Sequence, residues 1–212
     1  MGWSHRTTGL IHYQPSSAYR GYTLFSPNGG DDAFLIDMEG RFVHRWHSGM
    51  GINYGFLLPN GNLLFRDRGS NPNSPGSDAI RELNWEGEMV WEYRKIKRSM
   101  STLSITDGMV FAADYSGFVY CLDALTGDEH WVYDTSAHIW GSTLVADGKV
   151  YIGTEDGFLT VIPATKKLQK AAVKEIDFTT PIYSSPIAAN GVLYVATHTH
   201  LFAIATTKEP GK

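Results

Sequence analysis

Thr106-Asp107-Gly108-Met109-Val110-Phe111 and Ala146-Asp147-Gly148-Lys149-Val150-Tyr151 are two copies of one turn, and their recurrence decides the fold. Earlier and later copies read Pro59-Asn60-Gly61-Asn62-Leu63-Leu64-Phe65 and Ala189-Asn190-Gly191-Val192-Leu193-Tyr194. The four glycines are 47, 40 and 43 residues apart. Asp or Asn accepts local backbone hydrogen bonds, and Gly takes the positive φ of a tight hairpin. A period in this range, built only of short strands, is the signature of a β-propeller.

A second turn is interleaved with the first. Asp37-Met38-Glu39-Gly40 leads to Trp46, Asn84-Trp85-Glu86-Gly87 to Trp91, and Asp123-Ala124-Leu125-Thr126-Gly127 to Trp131. Each Trp is large enough to pack between adjacent sheets. Strands read between the turns give blade two as 54–58, 63–67, 79–84 and 89–93. Blade three is 101–105, 109–113, 118–123 and 129–133, and blade four is 142–146, 149–153, 158–162 and 171–176. Blade five has three strands, 185–189, 192–197 and 201–205. Blade one has 22–26, 33–38 and 42–47. The run Gly9-Leu10-Ile11-His12-Tyr13 is left to complete either blade one or blade five. The expectation is one all-β domain over residues 1–212, a five-bladed propeller of four-stranded antiparallel blades closed by the N-terminal strand. Imperfect closure, or a dimer covering the gap, is the rival. Residues 164–171 replace the Asp-x-x-Gly turn of blade four, and no Trp follows.

Composition narrows the function classes. The chain has 212 residues, 42% hydrophobic and 19% charged, which is ordinary for a globular domain. A net charge of −4 gives no basic footprint for nucleic acid. No apolar run approaches the ~20 residues of a membrane span. The opening Met1-Gly2-Trp3-Ser4-His5-Arg6 lacks the apolar stretch of a signal peptide. Cys121 is the single cysteine and lies in a strand run, as a buried structural thiol would.

Two resemblances cover nearly the whole chain. Gly21-Tyr22-Thr23-Leu24-Phe25, Leu35-Ile36-Asp37-Met38-Glu39-Gly40, Val43-His44-Arg45-Trp46, Leu57-Leu58-Pro59-Asn60-Gly61-Asn62 and Trp91-Glu92-Tyr93 resemble arylsulfotransferase-like propellers over residues 1–94. Ser116-Gly117-Phe118-Val119-Tyr120-Cys121-Leu122-Asp123-Ala124-Leu125-Thr126-Gly127-Asp128-Glu129-His130-Trp131 resembles the pyrroloquinoline-quinone-type repeats, including BamB-like propellers, and that likeness runs over residues 95–212. The pair implies a hybrid, natural or engineered, joined near Trp91-Glu92-Tyr93. Family resemblance implies a periplasmic or other extracytoplasmic setting.

The first resemblance implies sulfuryl transfer through a histidine at the channel mouth, with cations beside the sulfuryl oxygens. Gly51-Ile52-Asn53-Tyr54-Gly55-Phe56 has no histidine where that family often carries one. His44 and His47 flank Trp46 on an outer strand, as structural histidines would. The second resemblance implies quinone with calcium in the larger relatives, yet one cysteine excludes their adjacent-cysteine feature and no acidic cluster offers calcium ligands. The repeat is read as architectural, with no cofactor, no metal and no catalytic residue assigned.

The candidate site comes from the repeat. Tyr54, Met100, Trp140 and Tyr183 precede the inner strands at spacings of 46, 40 and 43, so they occupy one position in successive blades, with Thr8-Gly9 as a possible fifth member. Two residues upstream stand Ile52, Arg98, His138 and Pro181. On one reading the large residues form an aromatic collar, with Arg98 and His138 as polar contacts for a small anionic or aromatic ligand. On the other they are wedges between blades, each followed by a small residue that lets the sheets approach. His198-Thr199-His200 could present two imidazoles on one side of a strand, although a solvated turn explains it as well. Arg94-Lys95-Ile96-Lys97-Arg98 reads as a solvated basic loop beside the channel mouth. The functional expectation is a non-catalytic scaffold or binding module. The alternatives are sulfuryl transfer to phenols and a BamB-like protein-interaction platform.

Overall fold

The computed structural model describes residues 10–69 and 78–205. Five antiparallel sheets follow one another along the chain, each a meander of sequential strands. Blade one is β1 (Thr23–Phe25), β2 (Asp32–Ile36) and β3 (Phe42–His47). Blade two is β4 (Asn53–Leu57), β5 (Leu63–Arg66), β6 (Ile80–Leu83) and β7 (Met89–Tyr93). Blade three is β8 (Ser104–Thr106), β9 (Met109–Ala113), β10 (Phe118–Asp123) and β11 (Glu129–Asp134). Blade four is β12 (Leu144–Ala146), β13 (Lys149–Gly153), β14 (Phe158–Pro163) and β15 (Lys174–Asp177), and blade five is β16 (Ile187–Ala189), β17 (Val192–Ala196) and β18 (Leu201–Ala205).

Four apolar clusters lie between successive blades, one to each junction. The middle sheets are covered on both faces. Accordingly β5, β6 and β9 are buried at every position, and β9 reads as an unbroken apolar run, Met109-Val110-Phe111-Ala112-Ala113. The terminal sheets are covered on one face only. Phe42, Ile187 and Leu201 are 72%, 61% and 70% exposed, which marks the outer faces of blades one and five as open.

Two expectations are corrected here. Blades one and five have the three strands read for each, and neither gains the fourth that the N-terminal run was expected to add to one of them. The strand expected at 9–13 is not formed over residues 10–13, and residue 9 lies outside the described residues. Among the described residues, therefore, no N-terminal strand closes a ring. Leu10 packs instead on Gly40, whose positive φ and absent Cβ leave room for it.

The interleaved turns serve the junctions. Trp46 of blade one donates its indole N–H to Asn84 O of the blade-two turn at 3.0 Å. Trp91 lies against Gly127 of the blade-three turn, where any Cβ would strike the ring. Trp131 donates to Thr165 O of blade four at 2.8 Å. Bulges between Leu35 and Ile36 and between Glu82 and Leu83 set the outer-strand registers. Counted from the turn, His44 stands where Trp91 stands one blade later. It stacks on Trp85 at 3.9 Å, while Trp46 fills the junction two residues further on. His44 is thus a packing residue, and His47 is bound to Asp32 on the exposed strand.

Polar groups inside the sheets are matched in part: Arg66 Nε and Nη1 and Thr160 Oγ1 are buried without a hydrogen-bond partner among the described residues, whereas Arg81 and Asp67 are paired. Arg81 bridges Asp67 at 2.6 Å and Glu92 at 2.8 Å, and the side chains of Arg81 and Asp67 are each 2% exposed. Cys121 is fully buried, and burial pushes its thiol up to about 12, as a structural thiol requires. Asp123 accepts from Lys166 and from the N–H groups of Leu125 and Thr126, and the Lys166 bond first, then these, hold its carboxyl down at about 2. Because the folded value lies below the ordinary 3.8, its contribution is complete above that pH and is lost as pH falls through about 2. Urea midpoints of the parent and Asp123→Asn should therefore differ at pH 6 and converge near pH 2.

Candidate functional site

The loops entering each blade are pinned at one end of the sheets by a bond repeated in four blades. The backbone N–H groups of Arg68, Tyr115, Glu155 and His198 donate to the carbonyls of Met50, Arg98, His138 and Pro181, at 3.1, 2.9, 2.8 and 2.8 Å. Each donor lies in the turn between the second and third strands. The bond sets Arg98 beside Tyr115, His138 beside Glu155 and Pro181 beside His198.

From blade three to blade five this produces a continuous aromatic band. The Arg98 guanidinium lies 5.2 Å from the Tyr115 ring centre. Tyr115 stacks on His138 at 4.3 Å with 9° between planes, and meets Trp140 edge-on at 5.0 Å. Trp140 meets Tyr183 at 6.1 Å, and Tyr183 meets His198 at 6.1 Å. Such offset and edge-on contacts are the favoured aromatic geometries. The Trp140 indole donates to Glu155 Oε2 at 2.8 Å. His138 Nδ1 lies 2.9 Å from Tyr115 O; a carbonyl only accepts, so that nitrogen carries a proton. Trp140 and Tyr183 remain 38% and 44% exposed.

Of the six candidate residues, Arg98, His138, Trp140 and Tyr183 are brought together. Met100 is half-buried between the buried Ser99 and Ser101. Tyr54 is not joined to the band. The bond from Arg68 to Met50 makes Ile52, not Tyr54, the counterpart of Trp140, and Ile52 is wholly buried. Tyr54 sits on an irregular stretch of β4 at φ 49°, its ring 5.6 Å from the Arg66 guanidinium. Thr8-Gly9 lies outside the described residues. The collar is therefore an arc over three blades.

The wedge reading holds for the residues that follow. A Cβ on Gly141 would lie 2.8 Å from Ser184 O. Ser101 Oγ donates to Gly141 O at 2.6 Å, and Ser142 N–H donates to Ser185 Oγ at 2.7 Å, stitching together the segments that lead into neighbouring inner strands. The small residues bring the sheets together and leave the rings before them at the surface.

Three band residues escaped the sequence reading. Tyr115, Glu155 and His198 occupy one position in Asp114-Tyr115-Ser116-Gly117, Thr154-Glu155-Asp156-Gly157 and Thr197-His198-Thr199-His200. That shared turn position was the available signal. His198 and His200 do not converge: the former meets Tyr183, while the latter lies 5.8 Å from Phe202 with Nδ1 2.8 Å from Thr199 Oγ1. Among the described residues no group of three His, Cys, Asp or Glu side chains is placed to hold a metal. The basic run is dispersed: Arg94 pairs with Glu92, Lys95 with Glu129, and Lys97 lies over Phe118.

The comparisons meet this geometry at the middle blades. Residues 76–171 match the family described as outer membrane protein assembly factor BamB. That span begins inside the stretch read from sequence as arylsulfotransferase-like, a likeness that none of these matches shows, and carries Arg98, Tyr115, His138, Trp140 and Glu155. Among solved structures, BamB from Moraxella catarrhalis is 18% identical with a TM-score of 0.66, over 85% of this chain and 54% of its own. The computationally designed Ika8 protein is 12% identical at 0.66, over 89% of this chain and 57% of its own. The designed Ika4 protein is 12% identical at 0.57, over 74% of this chain and 92% of its own. At these identities the likeness is one of fold. The chain spans about half the length of the first two structures. No curated protein matches it in sequence.

Proposed function

We propose that the chain is a non-catalytic binding module, an interaction platform of BamB-like type whose contact surface is the aromatic band of blades three to five. The observation that carries this reading is the unbroken run of contacts from Arg98 through Tyr115, His138, Trp140 and Tyr183 to His198, with its two largest rings open to solvent. Exposed, mutually braced aromatics lose little side-chain freedom on binding and are the usual anchors of an interface. The family description points to an extended outer-membrane polypeptide as the partner class and to an extracytoplasmic setting. Residues 1–94 then serve as architecture, in a chain of hybrid origin. A small anionic or aromatic ligand beside Arg98 uses the same surface.

The test is a titration with an unfolded outer-membrane β-barrel polypeptide diluted from urea, read by the tryptophan fluorescence of the folded chain. Trp140→Ala and Tyr183→Ala should each weaken binding by about tenfold, a loss of the order of 1.4 kcal/mol. Leu125→Ala, at an exposed site in the blade-three turn, should bind as the parent does. Equal affinity in all three variants would sink the proposal.

One observation favours sulfuryl transfer as the second reading. With Nδ1 committed to Tyr115 O, Nε2 is the His138 nitrogen left to act as a nucleophile, in the same band as Arg98. Turnover of 4-nitrophenyl sulfate with phenol as acceptor, lost in His138→Ala, would establish it.

A further inference from the structure

Among the described residues, tryptophan fills three of the four blade junctions and is missing from the fourth. Phe111, Cys121 and Trp131 stand side by side across β9, β10 and β11, three residues after Gly108 at the first of them. Counted from Gly148, the same positions across β13, β14 and β15 are Tyr151, Val161 and Lys174. The counterpart of Met109 is Lys149. Met109 and Trp131 are buried in the junction of blades three and four, together with Val150 and Ile162. In the next junction both places hold lysine. Lys174 is exposed, and Lys149 turns out to bridge Asp147 at 2.7 Å.

A cavity of about 520 Å³ lies between blades four and five, lined by Ala146, Asp147, Tyr151, Val192, Leu193 and Ile204 among others, with neither lysine in its lining. Leu193 and Ile204 are the counterparts of Val150 and Ile162, and Tyr151 is the counterpart of Phe111, beside which Trp131 lies at 5.9 Å. Among the described residues, the fully buried cluster of this junction is Leu159, Ile182 and Val195. The volume falls within the range of small-ligand sites.

We propose that this cavity is a docking site for a tryptophan side chain presented by a partner polypeptide. The occupant is named by the molecule's own repeat. The same apolar wall receives an indole one blade earlier, and at the rim the Asp147 carboxylate can accept the indole N–H. The site opens beside the Asp147-Gly148 turn, at the other end of the strands from the aromatic band, and does not rest on the function proposed for that band.

The probe is N-acetyl-L-tryptophanamide, with N-acetyl-L-alaninamide as control, followed through the methyl resonances of Leu193 and Ile204. Saturable shifts with a Kd of the order of 1 mM are expected for the tryptophan probe alone. Lys174→Trp places an indole where Trp131 sits one blade earlier; it should raise the melting temperature and weaken probe binding at least about tenfold. Ala188→Phe narrows the cavity from blade five and gives the same loss should Lys174→Trp fail to fold. Absence of saturable shifts in the full chain overturns the proposal. Shifts that emerge only in Trp3→Ala also overturn it, by making the chain's own Trp3 the occupant. Unchanged binding in both cavity variants does so by placing the probe elsewhere.

Discussion

Trp46→Ala should destabilise the chain by about 3–5 kcal/mol, the cost of emptying a large aromatic site. Trp46 is wholly buried, meets His44 and Trp85 edge-on at 4.3 and 5.3 Å, and donates to Asn84 O across the junction. Truncation removes this packing and leaves the Asn84 carbonyl without its indole partner. For a domain of this size the melting temperature should fall by roughly 6–15 °C. Trp85 is 40% exposed, and its alanine variant should lose less than half as much. Equal losses at the two positions in a thermal melt would mean that the junction is not held by the Trp46 ring.

Asp67→Ala should be of similar size for an electrostatic reason. Asp67 Oδ2 receives Arg81 Nη1, and its Oδ1 accepts the N–H groups of Gly69, Asp78 and Ala79. Removing the carboxylate strands a buried guanidinium whose remaining charged partner among the described residues is Glu92, at a cost of about 3–5 kcal/mol. Replacing both partners, as in Asp67→Ala/Arg81→Met, takes the charge away as well. The double variant should recover at least 1 kcal/mol relative to Asp67→Ala, by the logic of a double-mutant cycle. Additive losses in urea denaturation would show that the pair is not coupled.

Strands and blade order were legible because the hairpin turns need residues that few other sites need. Asp107-Gly108, Asp147-Gly148 and Asn190-Gly191 all place both turn residues at positive φ. Their sequence cost is visible without any tertiary information. Register was less legible. His44 holds the place expected of a tryptophan because Trp46 comes six residues after Gly40, where Trp91 and Trp131 come four after Gly87 and Gly127; the bulge itself recurs in all three blades. The register shift between Asn53 and Phe56, which carries Tyr54, has no sequence signature of its own. The inner strands begin later than expected, at Ser104, Leu144 and Ile187, because the serines and glycine before them bond to the neighbouring blade instead of their own.

The site was half legible. Its spacing identified Arg98, His138, Trp140 and Tyr183, since those positions come from one element of each repeat. Tyr115, Glu155 and His198 come from another element, and only the backbone bonds to Arg98, His138 and Pro181 bring the two together. The run Leu10–Tyr13 shows the converse failure. It is apolar enough for a strand, but Leu10 is spent on covering Gly40.

The central claim is that the band at the blade-three to blade-five mouth is the binding surface. Hydrogen exchange, measured with and without the unfolded outer-membrane polypeptide, tests it most directly. The account predicts slowed exchange in residues 97–103, 136–143 and 179–186, with little change at the Asp107-Gly108 and Asp147-Gly148 turns at the opposite end. Protection confined to those turns, or no protection at the mouth under saturating polypeptide, would contradict it.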